Sequence, residues 1–427
     1  MIHLNASKMR GAIRQGVKNR NELLRILSDW MLYNPHEELI VSFVGLRITT
    51  SCNVIGKDKC IYCDQKFVTE KLTPYDIMKF FREIYDKGVS RHFYVSISGG
   101  EPLLWGKKLY GKDGIIHYLA RQGTYVNMNS DLQLVNTDNC VDIIQSGLSS
   151  LRFSFDISDE LLFNEITTPG AFKRTLFSVF LLSKMKEISK TYMPKMFVNV
   201  VATKVNVNHY EELTDFLIDF CKTDICTCNP DLISSLCNMH LIPLGGERNK
   251  WLLPSYEDWE HFLNITIPRC KEKWDSFFSE MRTENTMFDF FSFANPLDSD
   301  MYKGSREEVL GDFVNQNYAR HTNRFKCYTA PTQLYILPNG DAYPCTHHAE
   351  NQTHSIGNIF SDSFAKLIQK NLSYLNCLPN EFCEKCPLNA VKLNVKMQER
   401  LLRYIDEILN CSGILESTEA SPSMPDS

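Results

Sequence analysis

YDIMKFFREIYDKGVSRHFYVSISGGEP, residues 75–102, contains the unit from which the fold is read. Its first half spaces Ile77, Phe80, Phe81 and Ile84 at helical intervals, and Gly88 stands where that helix would end. The second half, HFYVSIS, is short and rich in aromatic and β-branched residues, and it stops at a glycine pair. The same grammar recurs in IIHYLARQG (115–123) before TYVNMNS (124–130), and in CVDIIQSG (140–147) before SSLRFSFD (149–156). It returns in reverse order as KMFVNVVATK (195–204) followed by HYEELTDFLIDFCK (209–222). Parallel neighbours need a crossover long enough for a helix, so this alternation predicts an α/β fold: a largely parallel sheet or barrel with helices outside. Such folds collect ligands at the C-terminal ends of their strands. LIVSFVGLRITT (39–50) runs into Cys52, YVSIS into Gly99-Gly100-Glu101-Pro102, and YVNM into Asn129-Ser130-Asp131.

Bulk properties narrow the classes. The 427 residues carry 43% hydrophobic and 23% charged side chains, ordinary for a globular protein, and length alone suggests two or three domains. A net charge of -5 with no long basic run gives no electrostatic footprint for nucleic acid. No apolar leader and no membrane-length apolar run is present, so the expectation is a cytoplasmic protein with reduced thiols and no membrane partner. Fifteen cysteines, clustered and odd in number, then suit metal ligands and free thiols better than disulfides.

The first cysteine group, SCNVIGKDKCIYCDQKF (51–67), has the spacing C-x7-C-x2-C with Cys52, Cys60 and Cys63. A zinc half-site, a redox dithiol and three packed thiols are alternatives. A zinc site would want a fourth ligand nearby, and no His or Cys follows until His92. Three thiolates are also the number that leaves one iron of a four-iron cluster open.

Taken with Tyr62 just before Cys63 and the Gly-Gly-Glu-Pro turn, these motifs resemble the radical S-adenosylmethionine (SAM) superfamily. The resemblance runs in sequence order over residues 39–250. It implies a partial (β/α)6 TIM-like barrel in which Cys52, Cys60 and Cys63 hold a 4Fe-4S cluster, with SAM chelating the open iron. It also implies a cofactor contact set of Tyr62, Gly99, Gly100, Glu101, Pro102, Asn129, Ser130, Ser154, Asp156 and Asn199, with Thr203 available. Glycines permit close backbone approach and Glu101 can accept from the SAM ammonium. HLIPLGGERN (240–249) resembles the last barrel strand and its glycine turn. Most members have three residues between the first two cysteines, whereas NVIGKDK makes seven here; Gly56 allows the extra loop to bulge outward, and Lys57 and Lys59 read as solvated.

Beyond residue 320, KCYTAPTQLYILPNGDAYPC (326–345) reads as strand, Asn-Gly turn and strand between Cys327 and Cys345. Cys377, Cys383 and Cys386 follow. This region resembles the auxiliary-cluster domain of SPASM and twitch-type radical SAM enzymes, a β-hairpin plus helices. The resemblance implies one auxiliary 4Fe-4S cluster on Cys327, Cys345, Cys383 and Cys386, with Cys377 as an alternative ligand; a zinc ribbon is the plainer reading. His347 and His348 read as a solvated turn, Cys140 and Cys270 as core, and Cys221, Cys226, Cys228 and Cys237 as packed or free thiols.

The expected organisation is a helical extension over 1–38, the barrel over 39–250, a helical and loop connector over 251–320, the auxiliary domain over 321–390, a helix over 391–411 and a disordered tail over 412–427. Within the connector, 255–274 reads as a helix and 288–304 as an aromatic loop. The resemblance implies reductive cleavage of SAM to a 5′-deoxyadenosyl radical, hydrogen abstraction from substrate, and an electron donor such as flavodoxin or ferredoxin. The substrate expected first is a peptide or protein side chain, modified oxidatively; the alternative is a small molecule such as a sugar or cyclitol, and the non-enzymatic alternative is an iron–sulfur carrier or scaffold. No general acid or base can be named from the sequence.

Overall fold

The structure, a computed structural model, describes residues 43–54, 60–63, 65–86, 94–223, 240–243, 247–280, 304–317, 333–374 and 381–386. The expectations for 1–38, the 55–59 loop, Gly88, Cys226, Cys228, Cys237, Gly245-Gly246, 288–303, Cys327, Cys377, the 391–411 helix and the tail lie outside the described residues.

Six strands lie in sequence order: β1 (Phe43–Thr49), β2 (Tyr94–Gly99), β3 (Tyr125–Ser130), β4 (Ser150–Ser154), β5 (Lys195–Ala202) and β6 (His240–Pro243), each parallel to the next. Between them run α1 (Pro74–Asp86), α2 (Ile115–Arg121), α3 (Cys140–Gln145), α4 (Glu160–Ile166), α5 (Ala171–Ile188) and α6 (Tyr210–Cys221). β1 and β6 do not pair, so the barrel stays open. Further along, α7 (Tyr256–His261) continues through a π-turn at Phe262–Thr266 into α8 (Ile267–Glu280), and α9 (Arg306–Val314) packs beside α7.

Every second strand residue faces the helices. Val44, Leu46 and Ile48, Val95 and Ile97, Val126 and Met128, Leu151 and Phe153, and Met196, Val198 and Val200 form one continuous core with Phe81, Leu119, Ile143, Leu182 and Leu213 from the helices. The intervening residues face the open interior and are largely polar: Arg47, Ser96, Ser98, Asn127, Asn129, Arg152, Ser154 and Asn199. A strand slip of one residue would exchange these two sets, so the alternation fixes the register.

The sheet does not end at β1. The strand β7 (Gln333–Ile336) pairs with it in parallel, and β8 (Asp341–Tyr343) and β9 (Gly357–Asn358) continue antiparallel, making nine strands in one sheet. α10 (Thr346–Asn351) and α11 (Phe364–Tyr374) cover this extension, with Phe364 edge-on to Phe80 of α1. Gly45 makes the junction possible, because a Cβ there would lie 2.2 Å from the ring of Tyr335. Among the described residues no helix is long and apolar enough to cross a membrane.

Candidate functional site

The parallel pairing of β1 and β2 brings Thr49–Cys52 and Gly99–Pro102 out of the sheet side by side. Gly100 N donates to Thr49 O (3.0 Å) and Glu101 N to Ser51 O (2.9 Å). A Cβ on Gly100 would sit 2.0 Å from the Ser51 carbonyl oxygen, and one on Gly99 would sit 2.5 Å from that of Thr49. The glycine pair is therefore required by the approach of the loop that carries Cys52.

Glu70 braces the same loop from outside. Its Oε1 accepts from Thr49 Oγ1 (2.7 Å), Thr50 N (2.7 Å) and Ser51 N (3.0 Å), and from the Thr50 and Ser51 hydroxyls. Burial pushes this carboxyl up, but the donors from Thr49, Thr50 and Ser51 outweigh it and hold it below the ordinary 4.5. The brace is thus present above that value and lost as pH falls through the lowered one. Glu70→Ala is expected to cost about 1 kcal/mol in urea unfolding and to reduce iron loading more than it reduces stability.

The second and third cysteines are tied elsewhere. Cys63 N donates to Cys60 O (2.9 Å), closing the turn, and Ile61 N donates to Ile166 O (3.1 Å). Asn249 Nδ2 donates to Tyr62 O (2.7 Å), and the Tyr62 hydroxyl donates to Asp156 Oδ2 (2.6 Å), whose other oxygen accepts from Val201 N (2.7 Å). Cys52 connects the other way: Asn53, beside it, donates to Asp131 Oδ2 (2.9 Å). The three thiols are half-buried, and Cys63 lies close enough to Cys52 and Cys60 to raise both electrostatically. Burial first, then neighbouring charges, push Cys52 to about 11 and Cys60 to about 12. Among the described residues, no three His, Cys, Asp or Glu side chains meet closely enough to share a single metal ion. A multi-iron cluster needs its thiolates spread wider than one ion does.

Burial pushes Asp156 from 3.8 up to about 6, against the hydrogen bonds from Tyr62 and Val201. A raised carboxyl stabilises the folded chain fully below its unfolded value and loses that contribution as pH rises through about 6. At neutral pH the ionised group then costs on the order of 3 kcal/mol. Asn keeps an acceptor for Val201 N and offers an amide to the Tyr62 oxygen. Asp156→Asn is therefore expected to remove most of the stability loss between pH 4 and 7 seen by urea unfolding of the wild type; parallel pH curves for the two proteins would refute it.

The remaining expected cofactor contacts divide into two groups. Glu101, Ser130 and Asp156 are buried and already engaged. Glu101 Oε1 accepts from Leu103 N (2.9 Å) and Ser130 Oγ (2.8 Å), and its Oε2 accepts from Asp131 N (2.8 Å). Burial, then Asp131, push its carboxyl well above the usual range. In contrast, Asn129, Ser154 and Asn199 point into the interior, and Asn199 Oδ1 is sealed there with no hydrogen-bond partner. Sequence reasoning missed Glu70, Asn249 and Gln65, whose amide reaches Thr49 O (3.5 Å). None carries a motif; only the folded topology brings them to the cysteine loops.

In the sheet extension, Leu337 to Asp341 form the hairpin turn, with Gly340 at φ +86. Cys345 is the N-cap of α10, and Cys386 N donates to Cys383 O (3.0 Å), the same turn as Cys60 to Cys63. His347 and His348 are not solvated, contrary to the expectation from sequence. Both are buried because α10 packs on the hairpin, and burial pulls His348 down to about 4. Cys140, Cys221 and Cys270 are core thiols.

The SPASM family model, described as an iron-sulfur cluster-binding domain, matches residues 327–387. The chain is 24% identical over 222 residues to GTP 3′,8-cyclase of Clostridium perfringens, covering 48% of this chain. It spans 57% of the length of that curated relative. Streptococcus suis SuiB bound to S-adenosylmethionine is similar in fold, with a TM-score of 0.52 at 16% identity over 88% of this chain and 76% of SuiB. Native anSMEcpe with bound AdoMet gives a TM-score of 0.51 at 14% identity over 86% of this chain and 99% of its own. Residues 327–387 thus match an iron–sulfur cluster-binding SPASM domain, and the chain shares its fold with two proteins solved with S-adenosylmethionine bound.

The matched domain is one that binds an iron–sulfur cluster, and SuiB and anSMEcpe each bind S-adenosylmethionine. The residues present fit these groups. Three half-buried thiols lie near one another, the glycine turn packs directly against the loop that carries Cys52, and Asn199 offers an unpartnered acceptor in the barrel interior.

Proposed function

We propose that this radical SAM enzyme oxidatively modifies a peptide or protein side chain. Cys52, Cys60 and Cys63 hold the cluster, while Gly99–Pro102, Asn129, Ser154 and Asn199 line the SAM. Tyr62, Ser130 and Asp156 hold those groups in place from behind. Cys345, Cys383 and Cys386 belong to the auxiliary cluster, with Cys327 as the fourth ligand. Bound SAM and its cluster supply one-electron cleavage to a 5′-deoxyadenosyl radical, a hydrogen-abstracting agent. The chain contributes orientation and exclusion of water: an interior open between β1 and β6, walled by apolar core on the outside and polar side chains within. Domain limits of 39–250 for the barrel and 321–390 for the auxiliary region fit the strands each contains.

The observation that carries this reading is the run of the SPASM match directly onto the barrel sheet through β7. Two structures similar in fold contain peptides: SuiB bound to its precursor peptide SuiA, and anSMEcpe with the Cp18Cys peptide. The resemblance to GTP 3′,8-cyclase favours a second reading, a small-molecule substrate, for which the same barrel interior would serve.

Anaerobically reconstituted protein is expected to form 5′-deoxyadenosine from SAM with dithionite, and Cys60→Ala is expected to form none above background. Iron-loaded wild type that yields no product would remove the radical reading and leave an iron–sulfur carrier.

A further inference from the structure

The barrel interior contains a tier of which the cofactor assignment uses only Asn129. Arg47 on β1 is in register with Ser98 on β2, Asn129 on β3 is in register with Arg152 on β4, and Arg152 is in register with Phe197 on β5. The pairing of Ile97 with Met128 puts Ser98 beside Asn129, so all five belong to one level, one residue along β2 from Gly99 and two along β4 and β5 from Ser154 and Asn199. Both arginine Nε atoms are sealed from solvent with no hydrogen-bond partner, and no carboxylate among the described residues pairs with either guanidinium. The Arg152 guanidinium lies 6.0 Å from the Phe197 ring centre, which packs it without neutralising it.

Two half-buried cations without a counter-ion are costly to keep in a folded interior. Serine, asparagine and the Tyr335 hydroxyl (3.2 Å from Ser98 Oγ) complete the tier with neutral donors and acceptors. A guanidinium fork matches a planar carboxylate in two parallel hydrogen bonds, and the anions of an unmodified peptide are its carboxylates. We propose that Arg47 and Arg152 are a specificity site for a substrate carboxylate, an Asp or Glu side chain or the C-terminus, held in the barrel next to SAM. This rests on the peptide-modifying reading above and names the peptide chemistry that it selects.

The test uses cluster- and SAM-loaded full-length protein, so that the SAM carboxylate is already in place. Thermal unfolding is followed with glutarate, its neutral isostere glutaramide, and inorganic phosphate, with NaCl holding ionic strength constant. Wild type is expected to show a saturable upward shift with glutarate and none with glutaramide. Arg47→Gln and Arg152→Gln should each reduce the shift, and the double variant should lose it. Glutarate should also protect both arginines of the wild type from phenylglyoxal, mapped by peptide mass spectrometry, which needs no variant to fold. Equal shifts in wild type and double variant, no glutarate shift, or unprotected arginines would overturn the proposal. An arginine-dependent shift with phosphate alone would overturn the carboxylate in favour of a phosphorylated substrate. The two readings fail separately: a wild type that forms 5′-deoxyadenosine without a glutarate response loses only the arginine site. One that responds to glutarate through the arginines and forms no 5′-deoxyadenosine loses only the radical chemistry.

Discussion

Gly100→Ala is expected to give a chain that no longer loads its first cluster and unfolds about 3–5 kcal/mol more easily. The added methyl would meet the Ser51 carbonyl oxygen at 2.0 Å and its carbon at 2.5 Å, and both belong to backbone that no rotamer can move aside. Overpacking alone costs about 1–3 kcal/mol. Relieving it separates Gly100 N from Thr49 O and Glu101 N from Ser51 O, two hydrogen bonds worth about 1 kcal/mol each. The strand end that must give way is the one leading to Cys52, so loss of the cluster's visible absorption should exceed what the stability loss alone explains. Gly311→Ala in α9 is the control: a methyl there meets nothing within 4 Å, and it should stabilise the helix by about 0.5–1 kcal/mol. Urea unfolding and iron content of both variants decide the matter; a Gly100→Ala protein with wild-type iron content would show that the turn and the cysteine loop are independent.

Glu101→Ala is the other substitution expected to act strongly. It strands Leu103 N, Ser130 Oγ and Asp131 N, three donors at a site closed to solvent. Each buried donor left unpaired costs about 1–3 kcal/mol, and some would find water, so roughly 3–5 kcal/mol is expected from a total that is typically about 5–15. Glu101→Gln keeps an acceptor for Leu103 and Ser130 but turns an amide N–H toward Asp131 N, so it should lose about half as much. Equal stability of Glu101→Ala and wild type in urea would remove the brace between β2 and β3.

The fold was legible because period and punctuation agree. Helical spacing in 75–86, a glycine stop, and alternating strands at 94–99 and 125–130 leave no other economical arrangement, and the parallel sheet follows. The same alternation already held the polar interior: Ser96 and Ser98, Asn127 and Asn129, Arg152 and Ser154 occur at every second position. What could not be read is how separate motifs meet. Asn249 reaches back 187 residues to Tyr62, and Tyr62 reaches forward 94 residues to Asp156. Such contacts depend on the order in which strands pack, not on local propensity. The misreading of His347 and His348 has the same cause, since the helix and hairpin that bury them are short and each is unremarkable alone.

The joining of β7 to β1 works as a ruler. Tyr343 is in register with Tyr335, and Tyr335 with Gly45, so the hairpin reaches Cys345 at the N-terminal end of β1, while Cys52 follows the C-terminal end. From the level of Gly45 to Thr49 the strand alone extends roughly 13 Å at about 3.3 Å per residue. With Cys345 as an auxiliary ligand, the two cysteine groups would be held apart by a span graduated in hydrogen-bonded residue pairs. Because β7 is hydrogen-bonded to β1, inserting or deleting a residue pair in both strands would change that distance.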